Sequence, residues 1–181
     1  MRVVAGKYKG RVLKSPKHPG VRPTADRVKE ALFNIIGARI IGASFLDLFA
    51  GSGAIGIEAI SRGAACVVMA DESIMSIKLV RENCKLLETQ DQPRIINLSF
   101  ERTLSLLSRE KAVFDLVFLD PPFEAGLLPR AIQEIWRLEL LSAQAMLIAE
   151  HPRGMVLNGV APLNLIDCRT YGDISLSLFH N

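Results

Sequence analysis

Cysteine is scarce in this chain: Cys66, Cys84 and Cys168 are odd in number, far apart and form no C-x-x-C pair. That spacing argues against a disulfide framework and a zinc site, and it suits a reducing cytoplasm. Each thiol is expected to be a small buried apolar residue. Long apolar runs are lacking as well, with none reaching the ~18 residues of a membrane span. The opening MRVVAGKYKG has too few apolar residues in a row for a secretory signal. His18, His151 and His180 form no motif with each other or with the cysteines, so no metal is expected. His151, in AEHPRG, could face a cleft, although a core or solvated histidine is the simpler reading. There is no internal repeat and no low-complexity tract.

What remains is an ordinary globular composition, 49% apolar and 23% charged over 181 residues. That length suits one domain with a sizeable core and a small appendage. The charge is unevenly placed. Residues 1–30 carry nine Lys/Arg against Asp26 and Glu30, a net +7, so the overall +3 leaves −4 for the other 151 residues. A basic arm on a slightly acidic body suggests a polyanionic partner, a solvated tail being the plainer alternative.

The first twenty residues read as a short hairpin, with RVV and RVLK as arms and GKYKG as the turn. Residues 1–22 are taken as this extension and 23–181 as the main domain. RPTADRVKEALFNIIG then suits a helix, with Thr24 as N-cap and Gly37 as its stop. From residue 44, SFLDLFA, CVVMA, RIINLS, VFDLVFLD and AMLIAEH alternate with helical segments. That order predicts an α/β fold with a mostly parallel sheet covered on both faces. LNLIDCRTY and ISLSLFH, separated only by GD, predict an antiparallel hairpin at the sheet edge. Trp136 lies on an amphipathic helix and is read as core.

LDLFAGSGAIG places Gly51, Gly53 and Gly56 between a strand and a helix, where backbone can closely approach a ligand at the helix N-terminus. By itself the pattern fits a dinucleotide, another adenosine cofactor, or a plain strand–helix turn. Asp47, four residues earlier in an apolar strand, needs solvent or a cation and would repel a pyrophosphate. Asp71, twenty residues after Gly51, stands where a ribose diol is usually held. Glu72 beside it stays open as the ribose ligand, with Asp71 preferred because it directly follows the strand. The set suits a cationic sulfonium cofactor without phosphate.

VFLDPPFE ends another strand in Asp120, Pro121, Pro122 and Phe123. The prolines cannot donate N–H groups, and their fixed φ angles hold carbonyl oxygens in place. Asp120 and the Pro121 carbonyl could both accept from an exocyclic amine, while Phe123 offers a ring for stacking on a base. The plainer reading is a strand terminator, but the glycine loop upstream favours amine chemistry.

With these residues assembled, the chain resembles the RsmD family of bacterial methyltransferases over nearly its full length, through RVVAGKYKGRVL, RPTADRVKEALFNIIG, LDLFAGSGAIGIEAISRGA and VFLDPPF. The resemblance implies a Rossmann-like seven-stranded sheet with an N-terminal β-hairpin extension. It also implies S-adenosylmethionine as cofactor and methylation of guanine N2 in small-subunit (16S) rRNA. Asp47, Phe49, Gly51, Gly53 and Asp71 would then hold the cofactor, and Asp120 to Phe123 the target base. The family often has Glu where this chain has Asp71. NLSFERT lacks the acid that many methyltransferases place near the adenine, so Ser99 or Phe100 would contact that ring. Lys7, Lys9, Arg11 and Lys14 look like phosphate contacts, and Arg22 and Thr24 would line the cleft, a plain helix cap being as good a reading of Thr24. The expected protein is a cytoplasmic monomer without metal or membrane association, acting on the assembled subunit. Competing readings are adenine N6 in DNA or a protein amide as acceptor, a non-catalytic RNA-binding module and, more distantly, a dehydrogenase.

Overall fold

A computed structural model describes residues 1–15, 23–122, 126–157 and 159–181. Its elements in chain order are α1 (Pro23–Ile36), β1 (Ser44–Asp47), α2 (Ala54–Ser61), β2 (Cys66–Ala70), α3 (Ile74–Cys84) and β3 (Arg94–Ile96). Then come α4 (Phe100–Arg109), β4 (Phe114–Leu119), α5 (Leu127–Arg137), β5 (Leu141–Pro152), β6 (Asn164–Tyr171) and β7 (Ile174–His180). The seven strands form one sheet in the order β3-β2-β1-β4-β5-β7-β6. β1 to β5 run parallel, as the alternation predicts. β7 inserts antiparallel between β5 and β6, which puts the predicted hairpin at the edge.

The period-two pattern of the central strands feeds two apolar layers. Phe45, Met69, Leu116 and Ile148 pack under α1, α2 and α3 with Leu32, Ile57 and Val80. Leu46, Val68, Val117 and Leu147 pack under α4 and α5 with Leu104, Leu107, Ala131 and Ile135. The chain leaves β1 in one direction for β2 and β3, then returns to β4 on the other side. A crevice therefore opens past the carboxyl ends of β1 and β4, where ligands of doubly wound sheets bind.

The N-terminal segment pairs with itself at a single antiparallel bridge, Arg2 with Val12, rather than along two regular strands. Side chains from the body hold it instead. Val3, Tyr8 and Leu13 join the core beside α1 and α2. Glu58 of α2, 0% exposed, accepts the backbone N–H groups of Val4 (2.8 Å) and Ala5 (2.9 Å). Its carboxylate also pairs with Lys29 of α1 (3.3 Å) and with Arg62 (2.8 Å). Lys29, itself 2% exposed, donates to the Arg2 carbonyl as well. Asn83 of α3 bonds Lys14 through both backbone groups and donates to the Ser52 carbonyl at 2.8 Å. One buried amide thus joins the arm to the glycine loop.

Two expectations need correction. Cys66 and Cys168 are exposed, and only Cys84 is buried. Cys66 opens β2 before the apolar residues begin, while Cys168 lies on edge strand β6, where most side chains face solvent. Trp136 is 41% exposed, because the buried stripe of α5 is Leu128, Ala131, Ile132 and Ile135 and the indole falls beside it. His151 is a core histidine, as the simpler reading had it, with Nε2 2.8 Å from the Ser177 hydroxyl.

Candidate active site

β1 ends in Asp47, and the chain then turns through Gly51 (φ +53°) and Gly53 (φ +77°) into α2. A Cβ on Gly53 would come within 3.2–3.3 Å of Met69 and Val80, so this glycine serves close packing. Nothing lies within 4 Å of the corresponding point on Gly51, which faces the open cleft. Asp71, just past β2, holds the turn in place. One carboxylate oxygen accepts the Gly51 N–H (2.8 Å) and the other the Ser73 N–H (2.9 Å). Each oxygen keeps a lone pair for a further donor. Glu72 has no side-chain partner among the described residues, and both acids line the cleft.

The cleft holds about 740 Å³ between the glycine loop and the end of β4. Phe49, Phe100 and Arg130 form a ladder on its wall. The two rings lie 5.9 Å apart, and the guanidinium stands 5.5 Å from the Phe100 centroid while pairing with Glu101 at 3.0 Å. Phe100, one of the two residues expected near the adenine, lines the cleft. Ser99 stands at the N-cap position of α4 without a side-chain capping bond and lies outside the lining. Arg130 and Glu101 belong to no motif, and only the packing of α4 against α5 brings them here.

Asp120, Pro121 and Pro122 close the other side. An inner hollow of about 170 Å³ shares Phe49, Gly51, Asp120 and Glu150 with the cleft and reaches down to Asp47 beneath Met1, Val28 and Lys29. Burial pushes the Asp47 carboxyl up to about 7 against the pull of the Gly56 N–H (3.1 Å), with the charges of Asp120 and Asp71 adding to the rise. Asp120 is exposed to the cleft, yet the surrounding protein atoms displace part of its hydration and raise its carboxyl to about 6. Glu150, after burial and the charge of Asp120, stands at about 8. The sequence allowed His151 to face this cleft without favouring it. Alternation along β5 turns His151 to the opposite face and aims Glu150 into the site.

Such a floor fits the expected cofactor: carboxylates suit a sulfonium and an ammonium, Asp71 suits a diol, and among the described residues no cluster of cations lines the cleft for phosphate. Asp71→Ala is expected to weaken S-adenosylmethionine binding about 10–100-fold by calorimetry, the range for a lost hydrogen bond to a charged group. Unchanged affinity would move the ribose contact to Glu72.

The basic arm differs from its sequence reading. Lys7 pairs with Glu88 (3.0 Å) and Asp91 (2.8 Å), and Lys14 with Glu82 (2.9 Å). Arg11 donates to the Leu86 carbonyl and lies over the Tyr8 ring. Of these four, Lys9 alone is exposed with neither an ion pair, a side-chain hydrogen bond nor a ring contact among the described residues. Arg22, Phe123, His18 and the Thr24 side chain lie outside the described residues.

The family described as "Conserved hypothetical protein 95" matches residues 1–180. "Ribosomal RNA small subunit methyltransferase D" of Escherichia coli strain K12 is 36% identical over 151 residues, covering 83% of this chain and 74% of that protein. The protein of the same name from Haemophilus influenzae is 34% identical over 184 residues, covering 100% and 94%. The solved structure of yhhF from Escherichia coli superposes with a TM-score of 0.87 at 32% identity, covering 100% of this chain and 97% of that one. With the Asp47–Gly51–Asp71–Asp120 cleft in place and a family match over almost every residue, this chain belongs to the conserved hypothetical protein 95 family, the RsmD family of methyltransferases.

Proposed function

We propose that the chain methylates the exocyclic N2 amine of a guanine in small-subunit (16S) rRNA, with S-adenosylmethionine as methyl donor. The observation that carries this reading is Asp120. It is a carboxylate without a protein partner among the described residues, set beside two prolines at the end of β4 and facing the glycine loop across one cleft. Two relatives named as small-subunit rRNA methyltransferases supply the acceptor class.

When bound, the cofactor supplies an electrophilic methyl on a sulfonium and departs as neutral S-adenosylhomocysteine once the carbon–nitrogen bond has replaced the carbon–sulfur bond. The guanine N2 lone pair is delocalised into the ring and is a poor nucleophile. Asp120 and the donor-free proline ledge accept its N–H groups and turn the lone pair towards the cofactor side of the cleft. Alignment of this kind can supply about 7–11 kcal/mol of a barrier. The proton lost from N2 passes to Asp120, which is ionised at neutral pH. Exposed Lys9 serves as a phosphate contact that positions the RNA without reading its sequence. A chain of this size has little surface for recognition, so the assembled subunit is the proposed substrate and a cytoplasmic monomer without metal the acting form.

The test is methyl transfer from labelled S-adenosylmethionine to undermethylated small ribosomal subunits, with naked rRNA and duplex DNA alongside. Label recovered as N2-methylguanosine from subunits is expected. Label confined to DNA would assign adenine N6 instead, and no label on any of the three would sink the nucleic-acid reading.

A further inference from the structure

Glu150 has no role in the motifs that led to the site, yet its position is fixed by strand register. β4 and β5 pair in parallel with Leu119 beside Ala149, so Asp120 and Glu150 stand side by side one residue further on. Adjacent strands lie about 4.8 Å apart. Asp47 is paired with Phe118, and Phe118 with Ile148, so all three acids project from one sheet face. Glu150 lines both the cleft and the inner hollow, and no described residue satisfies its carboxyl. A part-buried acid kept without a protein partner calls for a ligand that provides one.

Its place across the sheet identifies which ligand. Gly51 and Asp71 stand on the β1–β2 side of Asp120, where the cofactor is expected. Glu150 stands on the opposite, β5 side and therefore belongs to the methyl acceptor. Along the Watson–Crick edge of guanine the N2 amine is followed by the N1–H donor and then the O6 acceptor. A neutral carboxyl offers one acceptor and one donor and closes a two-bond ring with that pair. We propose that Glu150 is the specificity-determining residue for guanine, pairing with N1–H and O6 of the base whose N2 amine rests on Asp120. This rests on the guanine-N2 reading above.

The protonation state agrees with the geometry. Burial first, and the Asp120 charge second, keep Glu150 neutral up to about pH 8. The charged groups around it are Asp120 on β4, Asp47 on β1, Lys29 on α1 and the α-amino group of Met1 at the hollow, with Asp71, Glu72, Glu101 and Arg130 on the outer wall. Lys29 is already paired with Glu58 and Arg130 with Glu101, so neither is left free to ionise Glu150. Leu176, opposite on β7, is apolar.

Glutamine carries the same donor and acceptor without a titratable proton. On undermethylated small subunits near pH 7, Glu150→Gln is expected to keep kcat/KM within about threefold of wild type. Glu150→Ala is expected to lose about 10–100-fold with the cofactor dissociation constant unchanged, as for two lost hydrogen bonds. Above pH 8 the wild type should decline relative to Glu150→Gln as Glu150 loses its donor. Ionisation of guanine N1 is common to both and cancels in that comparison. Wild-type activity in Glu150→Ala, or a loss in Glu150→Gln as deep as in Glu150→Ala, would overturn the proposal. Failure of the wild type itself to form N2-methylguanosine would instead overturn the reading beneath it.

Discussion

Asp120→Ala is expected to lower kcat on small subunits by about 10²–10⁴-fold, the range for a positioned acid–base group. The affinity for S-adenosylmethionine should stay within a few-fold, because the cofactor's expected contacts lie on the β1–β2 side of the cleft. Asp120→Asn keeps one acceptor oxygen but takes no proton, so it should fall between wild type and alanine. The pH dependence follows from the partial loss of hydration in the cleft, which raises the carboxyl to about 6. Only the ionised form accepts both the hydrogen bond and the proton. The wild-type rate should therefore drop as pH falls through about 6, whereas the residual activity of Asp120→Ala should show no such step. Rapid-quench methyl transfer at saturating cofactor measures both effects. A normal rate in the alanine variant would remove Asp120 from the chemistry.

Glu58→Ala is expected to destabilise the protein by about 3–5 kcal/mol, the range for removing one partner of a buried ion pair. Lys29 would stay in the interior without its countercharge, and the N–H groups of Val4 and Ala5 would lose their acceptor. Exposed pairs such as Lys14–Glu82 contribute far less, about 0–1 kcal/mol. Urea titration of Glu58→Ala beside Glu82→Ala separates the two cases. A double variant, Glu58→Leu with Lys29→Met, should recover part of the loss because no charge is stranded. A change below about 1 kcal/mol in Glu58→Ala would mean that water reaches Lys29.

The parts of the site written in local chain chemistry were legible. Glycines at 51 and 53 and prolines at 121 and 122 constrain their own backbone, and the strand–helix alternation gave the parallel sheet without any contact information. Glu150 was not legible, because only the β4–β5 register sets it beside Asp120. His151, its neighbour, attracted attention as a residue type, but a shift of one position along a strand selects the other face. Trp136 missed the core for a related reason, since the buried stripe of α5 already holds Ile132 and Ile135. The arm was legible as charge but not as pairing. Glu82, Glu88 and Asp91, which take up Lys14 and Lys7, lie far along the sequence and meet the arm only through α3 and the turn after it.

That arm bears on how a shortened chain would behave. Removing residues 1–15 would take Val3, Tyr8 and Leu13 out of the interior and strip partners from Glu58, Ser61 and Asn83. Ser61 ends the helix that begins at the glycine loop, and Asn83 bonds the loop directly. Lost methylation in such a truncation would report a loosened cofactor loop as much as a missing grip on RNA. Charge reversal at Lys9 leaves the interior untouched and isolates the surface contribution.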